Sequence, residues 1–535
     1  MKSQERSHFI YWMLIGGIIA FVAIVRIRLL SVPFERDEGE FAYIGQLLLQ
    51  GIPPYQDAFT MKLPGTSMLY AFFMLLFGET VKAVHVGLLI VNIISIILLF
   101  LLTKKWLSPG AGIIASASFA LSTLTIQLFG FAAHATHFVA LFSLGGLLTL
   151  LLSLEQRKTR LFFLSGILFS GAFLMKQPGV CFFILGLTYL VYSWRTGILH
   201  RRDLVRFALF LLAGFIVPLI ALLFIILWGG TFQKFWFWTV QYSFQYGTYV
   251  SVGTMANNLF YMLGILWHAL PVISLLTGIG FLLVVSRRFP HPQTVMILLL
   301  GGFSFLAMVP GGYFRNHYFI LVLPFCSILF GSVYDYAQQA LARFAGWNYL
   351  PAIFFAAVLF EYGYENRSYY FTESPLMISH RSYEENFFTE SPVIGKFLAD
   401  HTSSNDRIAI LGSEPQVYFY AHRRAASGHI YMYGMMEEQP YARTMQEDFI
   451  ADIERVRPKY IVFYGIYFSW IIRKNSDPYV FTWKDQYTQQ HYHLVGLADL
   501  IDPLHVQYVW GPEASQYRLQ SQNAIFIFEN NDHQR

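Results

Sequence analysis

Charge is scarce in this chain. Asp, Glu, Lys and Arg make up 13% of its 535 residues, against about 25% in an ordinary soluble protein, and the mean hydropathy is +0.46. That balance excludes a soluble globular class. Cysteine is nearly absent too. Cys181 and Cys326 are the only two, and both fall in apolar runs, so a disulfide framework is excluded and the redox compartment cannot be read from them. There is no Walker motif, no GxGxxG following a strand and no serine-hydrolase elbow, which removes the phosphate cradles and nucleophile those sequences supply. Internal repeats and low-complexity segments are missing as well. The net charge of +5 sits largely in a few short loops, which leaves a nucleic-acid partner little support.

What the chain does have is apolar length. Runs at about 9–30, 82–103, 109–130, 137–154, 160–176, 178–194, 205–229, 258–285, 293–311, 317–335 and 347–361 predict a polytopic α-helical membrane protein with about 11 spans, since about 20 helical residues cross a hydrocarbon core. The first run is too long for a signal-peptide core and lacks a small-residue cleavage site, so it is expected to remain in place. Lys104 and Lys105; Arg157, Lys158 and Arg160; Arg195, Arg201 and Arg202; and Arg287 and Arg288 occupy alternate short loops. The Lys/Arg asymmetry assigns those loops to the cytoplasm and the chain to the cytoplasmic (inner) membrane. The loops containing RDEGEF, HATHF, KQPG and GGYFRNH then share the outer face.

Two regions follow, 1–369 as the membrane module and 370–535 as a small extracytoplasmic α/β domain. Within the second, RIAILG (407–412), KYIVFYG (459–465) and NAIFIFEN (523–530) read as buried strands, and SPVIGKFLADHT and QPYARTMQEDFIADIERVRP as helices. GSEP at 412–415 reads as structural, with Ser413 as an N-cap and Pro415 in the first helical turn.

Residues 34–70 carry the strongest functional signal, because Asp37, Glu38 and Glu40 follow the first apolar run directly. Charge at a membrane surface is costly and marks a site. A helix beginning near Asp37 puts Phe41, Ile44, Leu47 and Leu48 on one face, as expected of a helix lying in the membrane interface. Asp37 is the candidate general base. Its structural alternative is an N-cap with Glu40 as reciprocal partner and Glu38 complementing the helix dipole. Glu38, Glu40 and Tyr43 are candidate positioning residues. Lys62, Lys176 and Arg315 are candidates for a phosphate, against the alternative that such cations snorkel to the interface. Asn316 and His317 join Arg315 in a second polar cluster after Gly311-Gly312. His134 and His137 are three apart, which would give them a common helical face and permit joint ligation of a divalent metal. HxxH alone is a weak signal, and a role in orienting an acceptor is the competing reading. The aromatic stretch 232–250 is either a sugar-stacking surface or an interfacial belt.

Nucleotide sugars and ATP are confined to the cytoplasm, so group transfer at an outer face needs an activated donor carried by the membrane. A polyprenyl-phosphate sugar satisfies this. Cations at its leaving oxygen favour the transition state over the ground state, and a base acting on an acceptor hydroxyl from the opposite side of the anomeric carbon gives inversion. The acceptor would be an envelope lipid, glycan or protein. The alternative is a transporter or flippase of lipid-linked glycans, for which polar residues are expected near the bilayer midplane rather than gathered at one surface.

DEGEFAYIGQLLLQGIPPYQD followed by KLPG, then HATHF, LMKQPG, RNHYFILVLP and DRIAILGSEPQVYFYAHRRAASGHI, resemble the membrane glycosyltransferases of the C-type fold, in the superfamily of protein O-mannosyltransferases and lipid A aminoarabinose transferases. The resemblance covers nearly the whole chain. It implies that Asp37 matches the acidic residue of the first outer loop used as base, and Lys62 the lysine near the donor phosphate. Many relatives carry a second carboxylate in the next outer loop, where this chain has His134 and His137.

Overall fold

The computed structural model describes residues 2–247, 250–286, 288–289, 291–344 and 346–534. Arg287 of the expected cytoplasmic loop, and Thr248 and Tyr249 of the aromatic stretch, lie outside the described residues.

The first nine helices are α1 (Lys2–Leu29), α2 (Arg36–Leu49), α3 (Gly65–Phe77), α4 (Val81–Trp106), α5 (Pro109–Ser122), α6 (Ala135–Gln156), α7 (Thr159–Met175), α8 (Val180–Arg195) and α9 (Arg201–Trp228). Their boundaries have local causes. Thr80 caps α4 by accepting the N–H of Ala83, and Ser108 caps α5 ahead of Pro109, a residue suited to the first turn because it has no N–H to leave unpaired. Further helices follow at Val252–Ala269, Pro271–Val285, His291–Met308, Leu323–Leu341 and Leu350–Glu365.

Every one of the eleven apolar runs falls on helix, but the count of about 11 crossings is not recovered. Among the described residues five helices are long and apolar enough to cross a membrane: Phe9–Leu29 within α1, α4, α6, α9 and His291–Met308. A sixth span is available if Val252–Ala269 and Pro271–Val285 count as one, and that pair is bent by 114°. The discrepancy comes from length. α3, α5 and α7 are apolar but have only 13, 14 and 17 residues, and the run at 258–285 breaks before Pro271, whose ring cannot continue the preceding helix.

The basic ends of the helices lie together. Lys105 pairs with Glu155 across α4 and α6, and Arg157 with Asp203 at 3.3 Å. The start of α6 and the end of α7, which bear His134 and Lys176, are the opposite ends of those helices.

The C-terminal region forms a six-stranded mixed sheet in the order β2-β1-β3-β6-β4-β5, with β1 Arg407–Leu411, β2 Arg424–Ala425, β3 Tyr460–Gly465, β4 Tyr492–Asp502, β5 His505–Trp510 and β6 Ala524–Asn530. β1 runs parallel to β2 and β3, and β6 runs antiparallel to β3 and β4. The three expected strands are β1, β3 and β6, and the expected helices are Ser391–His401 and Ala442–Val456. Sequence patterning missed the β4–β5 hairpin, whose outer strand alternates exposed with half-buried residues, as edge strands do.

Alternation along β1 joins the two regions. Ile408 and Ile410 belong to the same hydrophobic core as Phe34, Tyr43 and Phe73, whereas Ala409 and Leu411 face a second core with Phe449 and Ile453. This is the period-2 geometry of a strand covered on both faces. The core of the membrane module therefore continues into the sheet without a gap.

Helix α2 lies between the two. It does not rest with one face in the membrane interface as the sequence suggested, because Arg36 and Glu38 through Leu47 are all buried. A Cβ on Gly39 would come within 2.4 Å of Gln416 Cβ, and one on Gly45 within 2.7 Å of Met74 Cε, so the two glycines set close contacts toward the sheet and toward α3. Arg36 clamps the junction. It donates to Glu414 Oε1 at 2.6 Å, to the Ser413 carbonyl and to Asn386, and lies over the rings of Phe388 and Tyr433.

Candidate functional site

A cavity of about 430 Å³ opens where α2, the loops on this side of the bundle and the sheet meet. Its lining includes Asp37, Glu40, Lys62, His134, Lys176, Arg315 and His317 from the membrane module, and Tyr431, Tyr433 and Glu437 from the C-terminal region. Such a concave pocket, with an apolar wall and a few convergent polar groups, is the usual form of a small-molecule site.

Asp37 reaches this cavity because it is not the helix cap. Glu35 is, accepting the N–H of Glu38 at 2.8 Å, and Glu40 forms no capping box with Asp37. Instead Lys62 Nζ donates to Asp37 Oδ1 at 2.8 Å and to Glu40 Oε2 at 2.5 Å, 4.5 Å from the centre of the Phe41 ring. Tyr431 Oη completes the set at 3.4 Å from Asp37 Oδ1. Burial opposes the charge on Asp37, but nearby cations, Lys62 foremost, hold its carboxyl well below the usual carboxylate range. Burial likewise disfavours the Lys62 ammonium, yet Asp37 and Glu40 keep its pKa above the ordinary value. Glu40 is pushed up by burial, against the pull of Lys62. The result is an ionised aspartate in a partly desolvated setting, oriented by a lysine.

Glu38 points the other way. Its Oε1 accepts the Ala133 N–H at 2.6 Å and the His85 ring at 3.0 Å, and it is wholly buried. It fastens α2 to the loop before α6 and to α4. Tyr43 is also outside the cavity. Its hydroxyl accepts the Ala425 N–H at 2.7 Å and its ring stacks on Tyr418 at 5.0 Å, so it binds α2 to the sheet.

Lys176 follows α7 in extended conformation, which turns its ammonium to 3.5 Å from the Tyr318 ring centre. Burial lowers its pKa to about 7. Arg315 precedes the short 3-10 helix Asn316–Leu321. The turn before it needs both glycines, since Gly311 and Gly312 have φ of 81° and 64° in the left-handed region that glycine tolerates. A Cβ on Gly312 would meet Met255 Cγ at 2.2 Å, so what packs closely there is the protein itself. Asn316 does not face the cavity. It donates to the Gln127 carbonyl at 2.7 Å and anchors the 3-10 helix.

The pairing of His134 with His137 is overturned. His134 lies just before α6 with non-helical backbone, so the two do not share a helical face, and His137 points into the core and does not line the cavity. His134 instead stacks on His317, with ring centroids 3.9 Å apart and planes 13° from parallel. Asp37, His134 and His317 each offer a ligand atom within 4.8 Å of the others, a grouping of residues up to 280 positions apart that no local spacing announces. Burial pushes His134 down to about 4 and holds His317 well below its ordinary value, leaving both imidazoles neutral at pH 7, the form that ligates metals.

The opposite wall comes from residues with no motif. Tyr431, Tyr433 and Glu437 line the cavity from the C-terminal region, and the Glu437 carboxylate accepts from Tyr242 at 3.0 Å and from Arg473 at 3.4 Å. Trp238 and Tyr242 of the aromatic stretch line the cavity, and Trp238 stacks on Phe59. Trp236 and Phe244 of the same stretch are exposed. GSEP is structural as expected, by a different route. Ser413 Oγ accepts the Met432 N–H at 2.9 Å, Glu414 holds Arg36, and the following helix, Gln416–Ala421, has no side-chain cap.

Residues 62–228 match the family profile described as dolichyl-phosphate-mannose-protein mannosyltransferase. Comparison with curated proteins finds no match. Among solved structures, the chain is similar to ArnT from Cupriavidus metallidurans bound to undecaprenyl phosphate, with TM-score 0.62 and 13% identity, over 97% of this chain and 98% of that one. It is also similar to the oligosaccharyltransferase AglB from Archaeoglobus fulgidus in complex with an inhibitory peptide and a dolichol-phosphate, with TM-score 0.55 and 12% identity, over 97% of this chain and 76% of that one. At such identities the likeness is one of fold, and the chain has the C-type glycosyltransferase fold.

Proposed function

On the premise of a C-type glycosyltransferase fold, we propose that this chain is an inverting membrane glycosyltransferase. It moves a sugar from a polyprenyl-phosphate donor to a hydroxyl of an envelope lipid, glycan or protein on the outer face of the cytoplasmic membrane. The observation that carries the reading is the convergence of Asp37, Lys62, Lys176 and Arg315 on one cavity with an apolar wall. Asp37 accepts the acceptor hydroxyl's proton as its oxygen bonds to the anomeric carbon, and the bond from that carbon to the phosphate oxygen breaks on the opposite side. The departing polyprenyl monophosphate gains negative charge, which Lys176 and Arg315 offset. Lys62 orients Asp37 and is within reach to share that task. Residues 370–535 act as the extracytoplasmic domain that closes the cavity and, through Tyr431, Tyr433 and Glu437, bears on the choice of sugar or acceptor.

Supplying the purified protein with a radiolabelled sugar, either on a polyprenyl phosphate or on a nucleotide, tests the donor class. Transfer from the lipid-linked sugar alone is expected, while transfer from the nucleotide sugar in lipid-free detergent would overturn it, and lipid-linked sugar moved across vesicles without transfer would point to a flippase. Sidedness is tested with Ser404→Cys, at an exposed site, in a background lacking Cys181 and Cys326. An impermeant thiol reagent should label it in intact spheroplasts, and labelling only after lysis would reverse the orientation.

A further inference from the structure

We infer that the first turns of α9 hold the headgroup of an anionic glycerophospholipid, phosphatidylglycerol in kind, at the end of the bundle opposite the cavity. Arg201, Arg202, Val205, Arg206, Leu209 and Phe210 line one open hollow there, and all six are exposed. Residues four apart share a helical face. Arg202 is therefore followed by Arg206 and then Phe210, and Arg201 by Val205 and then Leu209. Each row begins with a guanidinium and ends in an apolar side chain, the order in which a phospholipid presents its phosphate and its acyl chains.

Other basic residues at this end are already neutralised. Lys105 pairs with Glu155 and Arg157 with Asp203, which engages the acidic residue of the first turn of α9. Among the described residues Arg201, Arg202 and Arg206 make no ion pair with a carboxylate. Cations in the first turn of a helix also oppose its dipole, so the arrangement calls for an anion from outside the chain. The depth is that of a headgroup. Trp228, at the far end of α9, is exposed, as interfacial tryptophans are, and about 20 residues back from it the hydrocarbon ends near Leu209. The face behind the arginines is fixed to α7, where Phe207 stacks on Phe162 at 4.1 Å and a Cβ on Gly166 would come within 2.1 Å of the Leu211 carbonyl oxygen. The arginine fork matches phosphate oxygens, and basic pockets at the ends of membrane helices hold anionic headgroups. Phosphatidylethanolamine brings its own ammonium to compete with the guanidinium groups, and phosphatidylglycerol does not.

The purified full-length protein, in micelles holding equal amounts of palmitoyl-oleoyl phosphatidylglycerol and the matching phosphatidylethanolamine, is examined by native mass spectrometry, which separates the adducts by mass. Phosphatidylglycerol adducts should exceed phosphatidylethanolamine adducts by about tenfold or more, since each arginine near an anionic surface contributes a factor of about five. Combining Arg201→Gln, Arg202→Gln and Arg206→Gln should bring the two adducts within about twofold of each other. Arg343→Gln, at an exposed arginine beyond the end of another helix, should keep the wild-type preference. Equal adducts in the wild type overturn the site, as does a preference unchanged in the combined variant or lost equally in Arg343→Gln. Displacement by millimolar inorganic phosphate overturns it too, because the acyl chains would then contribute nothing. The combined variant should also lose the rise in unfolding temperature that phosphatidylglycerol gives the wild type, and an equal rise in both contradicts the site.

Discussion

The two faces of α2 carry neighbouring carboxylates with opposite fates. Asp37 faces a cavity where Lys62, Arg315 and Lys176 gather, and Glu38 faces the core, where a backbone N–H and His85 both meet its Oε1. Successive helical residues are about 100° apart, so the helix presents one acid to chemistry and the next to structure. Chemical type alone cannot tell them apart. What decides is which neighbours each meets, and those come from four loops and the sheet.

This contrast predicts a graded series. Lys62→Ala removes the cation that both orients Asp37 and lies nearest it, and transfer should fall by about 10²–10³-fold, the size of losing one preorganised charge-stabilising donor. Initial rates with saturating lipid-linked sugar measure it, and a loss below about threefold would show that Asp37 needs no such partner.

On the structural face, Arg36→Ala breaks the buried pair with Glu414 and strands a carboxylate, a change that costs about 3–5 kcal/mol. Limited proteolysis should release the C-terminal region from the bundle at a lower temperature than in the wild type. An unchanged profile would mean that the clamp is not what joins the two regions.

Glu38→Ala leaves the Ala133 N–H unpaired and should lower stability by about 1–3 kcal/mol. Glu38→Gln, which can still accept that bond, should lose less stability and keep most activity. If Glu38→Gln abolished transfer in a stably folded protein, the division between the two faces would collapse.

The smallest effect concerns pH. Lys176 titrates near 7 because burial disfavours its charge, so it is protonated below that value and neutral above it. Donor affinity should weaken severalfold as pH rises through about 7, and Lys176→Arg, which stays charged, should flatten the profile. Equilibrium binding of a fluorescent polyprenyl phosphate reads this directly.

How much of this was legible in the sequence depends on the range of the signal. Helix locations were, because apolar runs are local, and so were the central strands, whose residues are buried on both faces. The number of crossings was not, since apolarity does not distinguish a 14-residue buried helix such as α5 from a span. Asp37, Lys62, Lys176, Arg315, His134 and His317 were all candidates from local motifs, and the structure brings all six to one cavity. Glu38, Tyr43, His137 and Asn316 were candidates on the same grounds and proved to be anchors or core, because a motif gives proximity in sequence but not the direction of a side chain. Glu35 was overlooked as the cap since aspartate is the more usual capping residue. Tyr431, Tyr433 and Glu437 belong to no motif, and nothing in the sequence ties them to Asp37.

The central claim is that Asp37 serves chemistry and not binding or folding. Asp37→Asn keeps the shape of the side chain and removes its basicity. Donor affinity and single-turnover transfer should be measured on the same purified sample of this variant. The account predicts an affinity within about threefold of wild type and a transfer rate lower by about 10²–10⁴-fold, the usual range for a general base. Transfer at the wild-type rate would contradict it.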